Sequence, residues 1–289
     1  MITKNAYAKI NLYLDVLDKM ENGYHNIKSV MQQISLCDTL SLEVFDINDD
    51  NCIEINCNNP EIKCDSSNLI YKATSLFLEN ANISGKKCVF HLTKSIPISA
   101  GMAGGSTDGA TALLLLNEWF GFPFSKNELL AMGVRLGADF AFCIEGGTAI
   151  CEGIGEKIRK ITPLKDVFMV CAIDNSSVST PVAFSMLDER YGTSCTESGN
   201  LKNMVDAINT KSLTEIASCL YNKFESVIVE KNPNINIIKD TLIKNGAIGA
   251  LMSGSGPSVF GIFDDEEKQA LAFSALKKAN INAFLCKTI

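Results

Sequence analysis

One glycine-dense stretch, PISAGMAGGSTDGAT at 97–111, constrains the fold of this chain more than any other feature. It holds four glycines and three alanines in fifteen positions. The apolar run before it, KCVFHLTKSI, predicts a strand, and the run after it, DGATALLLLNEWF, predicts a helix. Three interpretations fit so bare a backbone: a tight turn, a helix start crowded by packing, or a loop whose amides hold an anion such as phosphate. In the turn interpretation, Ser106, Thr107 or Asp108 simply caps the helix.

The rest of the chain reads as a mixture of strands and helices. Residues 6–16 alternate apolar and polar side chains, which predicts a strand buried on one face, with Lys9 and Asn11 on its polar face. From about residue 160 the pattern changes to strands that alternate with longer helices. No internal repeat or low-complexity linker interrupts the chain. The sequence therefore predicts an α+β protein of two layered domains that divide near residue 155.

The stretch FSKNELLAMGVRLGAD predicts a helix with defined ends. Ser125 and Glu128 have the spacing of a capping box, and Gly137 is placed to end the helix. Asp139 therefore emerges directly after a helix C-terminus, in a fixed position, although a carboxylate there can also be only a turn residue.

Composition excludes several classes of protein. The net charge is -7 and only three arginines occur, so a nucleic-acid partner is not expected. Eleven scattered cysteines without a C-x-x-C pair or a signal peptide indicate reduced, mostly buried thiols in the cytoplasm. No apolar run is long enough to span a membrane, and two histidines 66 residues apart predict no zinc site.

Familiar nucleotide motifs are missing, and the remaining candidates are individually weak. The chain has no G-x-x-x-x-G-K-[ST] loop, no G-x-G-x-x-G fingerprint and no protein-kinase signature. A second glycine cluster, SGSGPS at 253–258, fits a hairpin connection as well as a ligand loop. The tripeptide GYH at 23–25 fits a surface turn.

Taken in order, three stretches resemble the motifs of the GHMP kinases, a superfamily of small-molecule kinases named for galactose, homoserine, mevalonate and phosphomevalonate. They are AYAKINLYLDV near the start, PISAGMAGGSTDGAT in the middle and MSGSGPSVFGIF near the end. The resemblance covers nearly the whole chain. It implies a ribosomal-protein-S5-like ATP-binding domain over 1–155, a ferredoxin-like α/β domain over 156–289, and an active site in the cleft between them.

The resemblance also implies roles for particular residues. Lys9 and Asp139 match the catalytic pair: the aspartate accepts the proton of the substrate hydroxyl, and the lysine stabilises the developing alkoxide and the γ-phosphate. ATP and Mg²⁺ are the implied cofactors. The implied nucleotide-binding residues are Asn68, Lys94, Pro97, Ile98, Ser99, Ala100, Gly101, Met102, Ala103, Gly104, Gly105, Ser106 and Thr107.

Within the superfamily, NGYHNI, LGAD and GGTAICEGIGE resemble the branch whose small-molecule substrate is cytidine diphosphate-methylerythritol. Tyr24 and Phe184 then match aromatic residues that stack on the cytosine, and His25 hydrogen-bonds the edge of the base. Asn11 and Thr180 match polar positions on the substrate side.

The sequence departs from the family pattern at three small residues. Ala103 replaces a common glycine, Thr107 a common serine and Ala141 a common proline; the first two keep the backbone amides, so we expect phosphate binding to survive. Asp108 either caps the helix or approaches Mg²⁺.

Alternatives remain open at this point: a GHMP kinase for mevalonate, homoserine or a sugar, a non-catalytic binding module of the same fold, and a purely structural protein. A monomer and a homodimer both fit.

Overall fold

The computed structural model describes residues 1–174, 179–194 and 197–289. The chain forms two compact units, each assembled from separate stretches. The first unit comprises Met1–Ala8, Cys37–Ile98 and Ala103–Glu145, and the second comprises Lys9–Leu36, Ser99–Met102 and Gly146–Ile289. The division into domains near residue 155 stays a prediction.

Strands and helices alternate along the described residues. The strands are β1 Ile2–Lys19, β2 His25–Asp46, β3 Cys52–Cys57, β4 Lys86–Thr93, β5 Thr148–Gly153, β6 Lys157–Lys160, β7 Phe168–Ile173, β8 Tyr221–Asn222, β9 Gly249–Met252, β10 Ser258–Phe263 and β11 Asn282–Lys287. The helices are α1 Leu69–Asn80, α2 Gly104–Trp119, α3 Lys126–Leu136, α4 Phe140–Glu145, α5 Thr180–Tyr191, α6 Leu201–Thr210, α7 Leu213–Ser218, α8 Glu225–Lys231, α9 Asn234–Lys244 and α10 Glu266–Lys278. None of these helices is both long and apolar enough to cross a bilayer.

The first unit packs helices against a small sheet. Residues 39–46 of β2 pair antiparallel with β4, and β4 pairs parallel with β3. Helices α1 to α4 pack together, and their apolar side chains join those of the strands in one core. The contact between α2 and α4 is close, because a Cβ at Gly109 would lie only 2.6 Å from the ring of Phe140.

The second unit contains two groups of strands. In one, residues 13–14 of β1 pair parallel with β8, residues 27–32 of β2 pair antiparallel with β5, and β5 pairs with β6. The other is an antiparallel sheet in the order β11-β7-β10-β9, against which α9 and α10 pack. The second glycine cluster, residues 253–258, forms the tight connection between β9 and β10. It is closed by a hydrogen bond from Ser253 N to Ser258 O of 2.9 Å.

Several predicted details are confirmed. Ser125 and Glu128 form the capping box of α3, and Gly137 is its C-terminal cap. Helix α5 carries a proline in its first turn, and α10 has acidic residues in its first turn and lysines in its last. None of the ten described cysteines is in a disulfide. Five of them are buried, fewer than predicted.

Two local predictions are wrong. Helix α2 begins at Gly104 rather than at Asp108, and neither Asp108 nor a neighbouring hydroxyl caps it: the N-cap residue is Ala103, without a side-chain cap. Packing and backbone geometry fix this start, although glycine is a poor helix former. The strand β1 is also not half-buried. Its polar face is covered within the second unit, so that Lys9 is 5% exposed and Asp15 fully buried.

Candidate active site

Lys9 lies on β1 and is the first donor of a buried hydrogen-bond chain in the second unit. Its Nζ donates to Asn11 Oδ1 at 2.9 Å, and Asn11 Nδ2 donates to Ser29 Oγ at 2.8 Å. Ser29 Oγ in turn donates to the carbonyl of Tyr13 at 2.7 Å. Lys9 and Asn11 share one face of the strand because they are two residues apart. The chain of donors therefore orients the Asn11 amide and holds the ammonium of Lys9 in place.

The second glycine cluster lies directly beside this lysine. Ser253 Oγ accepts a hydrogen bond from the backbone N–H of Asn11 at 3.3 Å. A Cβ at Gly254 would come 3.7 Å from Lys9 Nζ. Asn222 Nδ2 donates to the carbonyls of Met252 (2.7 Å) and Gly254 (2.8 Å) and so anchors the connection. Our sequence-based set of site residues omits Ser253, Gly254 and Asn222. The glycine cluster was the signal for the first two, whereas nothing local marked Asn222.

Residues 99–102 of the predicted phosphate loop pack against the same cluster. Lys9 N donates to Met102 O at 3.1 Å, and Ser258 Oγ donates to Ala100 O. Gly101 has φ +73, and a Cβ there would lie 2.7 Å from Ser253 O and 2.9 Å from the carbonyl oxygen of Gly256. Only glycine fits both this backbone conformation and this approach. Residues 99–102 of the loop therefore pack closely against β1 at Lys9 and against residues 253–258.

The remaining loop residues belong to the first unit, together with Lys94. Ala103 adopts φ 58, and Gly104 and Gly105 open the first turn of α2, where helix amides have no intrahelical partner. Pro97 and Ile98 precede them. Ser106 is half-buried in this turn and Thr107 is buried. The helix start therefore offers amides and small side chains of the kind that bind phosphate.

Lys94 lies beside this helix start, because a Cβ at Gly104 would come 3.2 Å from its Nζ. Its ammonium group is placed between two buried carboxylates. Its Nζ donates to Asp38 Oδ2 and, at 2.9 Å, to Asp108 Oδ2. Asp38 Oδ1 accepts from the amides of Ser95 (2.5 Å) and Ile96 (2.8 Å). Burial raises the pKa of Asp108 well above its usual range; Lys94 acts in the opposite direction and Asp38 in the same one. Of the two roles open for Asp108, helix capping is excluded, since its carboxylate binds Lys94.

Asp139 and Asn68 also belong to the first unit. Asp139 is half-buried in the turn between α3 and α4, and its carbonyl accepts from Cys143 N at 3.0 Å. Asn68 caps α1: its Oδ1 accepts from Ile70 N at 2.9 Å, while its Nδ2 donates to Lys63 O at 2.7 Å. Asp139 is therefore held at a helix boundary, as the sequence predicts.

Two of the predicted base-binding residues, His25 and Phe184, come together in the second unit. The rings of His25 and Phe184 are stacked, with centroids 4.7 Å apart and planes inclined by 13°. Phe184 also makes an edge contact with Phe224 at 5.0 Å. Tyr24, next to the buried His25, is 59% exposed. Phe184 is thus held by His25 and Phe224, and an aromatic face of this kind stacks on planar rings.

Thr180 connects the helix of Phe184 to the glycine cluster. It is the first residue of α5, and its Oγ1 lies 3.0 Å from Ser255 Oγ. Ser253 contacts Asn11 in the same cluster. Residues 253–258 therefore adjoin the predicted substrate residues Asn11 and Thr180 as well as the loop residue Gly101.

Comparison with known proteins identifies the family of this fold and site. The family described as GHMP kinases N terminal domain matches residues 68–147, and GHMP kinases C terminal matches residues 204–282. Both matches agree with the predicted fold class.

Full-length relatives narrow the assignment. The chain is 41% identical to 4-diphosphocytidyl-2-C-methyl-D-erythritol kinase of Clostridium botulinum (strain Langeland), over 100% of both chains. It is 38% identical to the enzyme of the same name from Clostridium novyi (strain NT), over 98% of this chain and 99% of the relative. A crystal structure of 4-(cytidine 5'-diphospho)-2C-methyl-D-erythritol kinase matches with a TM-score of 0.83 and 27% identity, covering 99% of each chain. A mevalonate kinase structure at 17% identity and a TM-score of 0.74 shares the fold. The chain thus belongs to the 4-diphosphocytidyl-2-C-methyl-D-erythritol kinase family of the GHMP kinases.

Proposed function

We propose that this kinase transfers the γ-phosphoryl group of ATP to the 2-hydroxyl of 4-(cytidine 5'-diphospho)-2-C-methyl-D-erythritol. The products are ADP and the 2-phosphate, an intermediate of the non-mevalonate isoprenoid precursor pathway. The observation that carries the choice of substrate is the stacked pair of His25 and Phe184, with the exposed Tyr24 adjacent to His25 in the chain. Mevalonate, homoserine and sugars have no aromatic base for it to bind. Family membership and the names of full-length relatives support the same choice.

In this proposal Asp139 and Lys9 carry the chemistry. Asp139 takes the proton of the attacking hydroxyl, and Lys9 stabilises the negative charge that develops on that oxygen and on the transferred phosphoryl group. Phosphoryl transfer needs positioning and charge neutralisation more than covalent help. The hydrogen bond from Lys9 to Asn11 supports this role because it fixes the position of the ammonium before the substrate arrives.

Residues 97–107 bind the phosphates of ATP, with Asn68 and Lys94 on the nucleotide side. The close approach at Gly101 and the amides at the start of α2 support this assignment. Mg²⁺ enters as part of the MgATP substrate, since Mg²⁺ in kinases is held largely by the phosphates and one or two protein oxygens. Asn11 and Thr180 contact the alcohol side of the substrate. The cytoplasm is the proposed location.

The test is ADP release by the purified protein with MgATP and one alcohol at a time. The alcohols are the cytidine diphosphate compound, mevalonate, homoserine and galactose. Turnover with the cytidine compound alone is the expected result. Turnover with another alcohol would support the kinase activity but contradict the proposal that Tyr24, His25 and Phe184 bind a base. Binding of ATP without turnover on any of the four would favour a non-catalytic module.

A further inference from the structure

The imidazole of His25 is held on two sides by residues of one helix. Its Nε2 lies 2.7 Å from Asp188 Oδ1, and its face stacks on Phe184. Phe184 and Asp188 are four residues apart on α5, so they project from the same helix face. The His25 side chain is only 6% exposed. The ring is therefore fixed in orientation, and α5 supplies both the stacking and the hydrogen bond.

Asp188 meets His25 as an ionised carboxylate. Lys19 Nζ donates to its second oxygen at 2.7 Å. Partial burial alone would raise the pKa of Asp188, but the hydrogen bonds from Lys19 and His25 outweigh it and the pKa is lowered. An ionised carboxylate can only accept hydrogen bonds. The proton in the bond to Asp188 must therefore reside on Nε2 of His25.

We propose that Asp188 is a positioning residue that makes this kinase selective for a base with an amino group at its edge. In the tautomer that Asp188 selects, whose only ring proton is on Nε2, Nδ1 is an acceptor, and it has no hydrogen-bond partner among the residues that the structure describes. Cytosine presents an amino donor at its fourth ring position, whereas uracil presents a carbonyl acceptor. Nδ1 therefore accepts a hydrogen bond from the amino group of cytosine. Against uracil its lone pair faces the carbonyl oxygen, so two acceptors repel each other. This inference rests on the proposed function, which places a base at Tyr24 and Phe184.

The stacking geometry provides the direction of this hydrogen bond. The imidazole and the Phe184 ring are inclined by only 13°. A base stacked on the same face of Phe184 then lies close to the plane of the imidazole, which is the plane of the Nδ1 lone pair. A correctly matched base edge contributes about 10-fold to 100-fold in discrimination against the wrong base. We expect kcat/KM for the cytidine substrate to exceed that for its uridine counterpart by about this factor.

The protonation of His25 is measured directly by nitrogen NMR of the imidazole rings, without any substrate. The chain has only two histidines, and a His91→Asn variant assigns the spectrum. We expect a protonated Nε2 and an unprotonated Nδ1 in the wild type. In Asp188→Asn, Lys19 retains the amide oxygen and the amide NH₂ faces Nε2, so the proton moves to Nδ1. A wild-type ring protonated at Nδ1, or an unchanged ring in Asp188→Asn, overturns the inference.

Kinetics on the full-length enzyme provide the functional arm. We expect Asp188→Asn to reduce the preference for cytidine over uridine at least about 10-fold, with KM for ATP unchanged. Asp206→Asn, the same substitution at an exposed position on α6, is the matched control and should keep the preference. Turnover of the cytidine substrate with an unchanged preference in Asp188→Asn overturns the inference and leaves the proposed function standing. If the wild type turns over neither nucleotide compound, the proposed function fails, and the NMR result alone decides the ring's protonation.

Discussion

Substituting Gly101 by alanine tests how closely the phosphate loop approaches the second glycine cluster. The new Cβ would lie 2.7 Å from Ser253 O and 2.9 Å from Gly256 O. Both are backbone atoms, so no side-chain rotation relieves the contacts. Alanine at φ +73 also carries a cost of about 1–2 kcal/mol from its left-handed conformation. The steric overlap with these two carbonyl oxygens lowers the free energy of unfolding by about 1–3 kcal/mol more.

A matched variant separates the two contributions. Gly121 has φ +78, but a Cβ there meets no atom within 4 Å. Gly121→Ala therefore carries the conformational cost alone, about 1–2 kcal/mol of unfolding free energy, and should leave KM for ATP unchanged. Gly101→Ala should destabilise the protein further and, by displacing the loop, raise KM for ATP about 10-fold or more, the equivalent of about 1.4 kcal/mol.

The assay is steady-state ADP release at varied ATP, with urea unfolding of both variants in parallel. A KM for ATP and an unfolding free energy of Gly101→Ala equal to those of Gly121→Ala would refute the reasoning. That result would mean that the contacts with residues 253–258 do not shape the nucleotide site.

Three further perturbations follow from the same structure. Tyr24→Ala should raise KM for the cytidine substrate about 10-fold, since stacking on a base contributes about 1–3 kcal/mol; an unchanged KM in steady-state kinetics would remove Tyr24 from base binding. Lys94→Met should lower the free energy of unfolding by about 3–5 kcal/mol, because it leaves Asp38 and Asp108 buried without their cation; a loss below about 1 kcal/mol in urea unfolding, well short of the usual cost of breaking a buried pair, would contradict that. The lowered pKa of Asp188 means that its ionised form stabilises the fold above about pH 4, and that this contribution disappears as the pH falls through the lowered value. The stability difference between wild type and Asp188→Asn should therefore shrink between about pH 5 and pH 3, and a constant difference would be the contrary outcome.

Local signals in the sequence predicted the elements that have strong capping or periodicity. The capping box at Ser125 and the glycine at 137 place α3 correctly because both act within one helical turn. The same signals failed for α2. Its first turn contains Gly104 and Gly105, which intrinsic propensity disfavours, and these glycines pack closely against Ile96 and Leu69.

Long-range packing explains what the sequence left out of the site. Alternation in β1 correctly placed Lys9 and Asn11 on one face, but their surroundings include Ser253, whose Oγ accepts from the backbone N–H of Asn11 across 242 residues of sequence. Asp188 had no local signal at all. Its contact with His25 exists only in the fold, where α5 brings the carboxylate within hydrogen-bond distance of the imidazole. Resemblance to a family supplied the roles of residues that spacing alone left as turn or surface positions.

Asp139→Asn tests the central claim most directly, since the claim assigns proton abstraction to this carboxylate. Single-turnover phosphorylation of the cytidine substrate, with binding of each substrate measured by calorimetry, separates chemistry from binding. We predict a rate about 100-fold to 10,000-fold lower, with affinities for ATP and for the cytidine substrate close to those of the wild type. A near-normal rate with intact binding would contradict the account and remove Asp139 as the base.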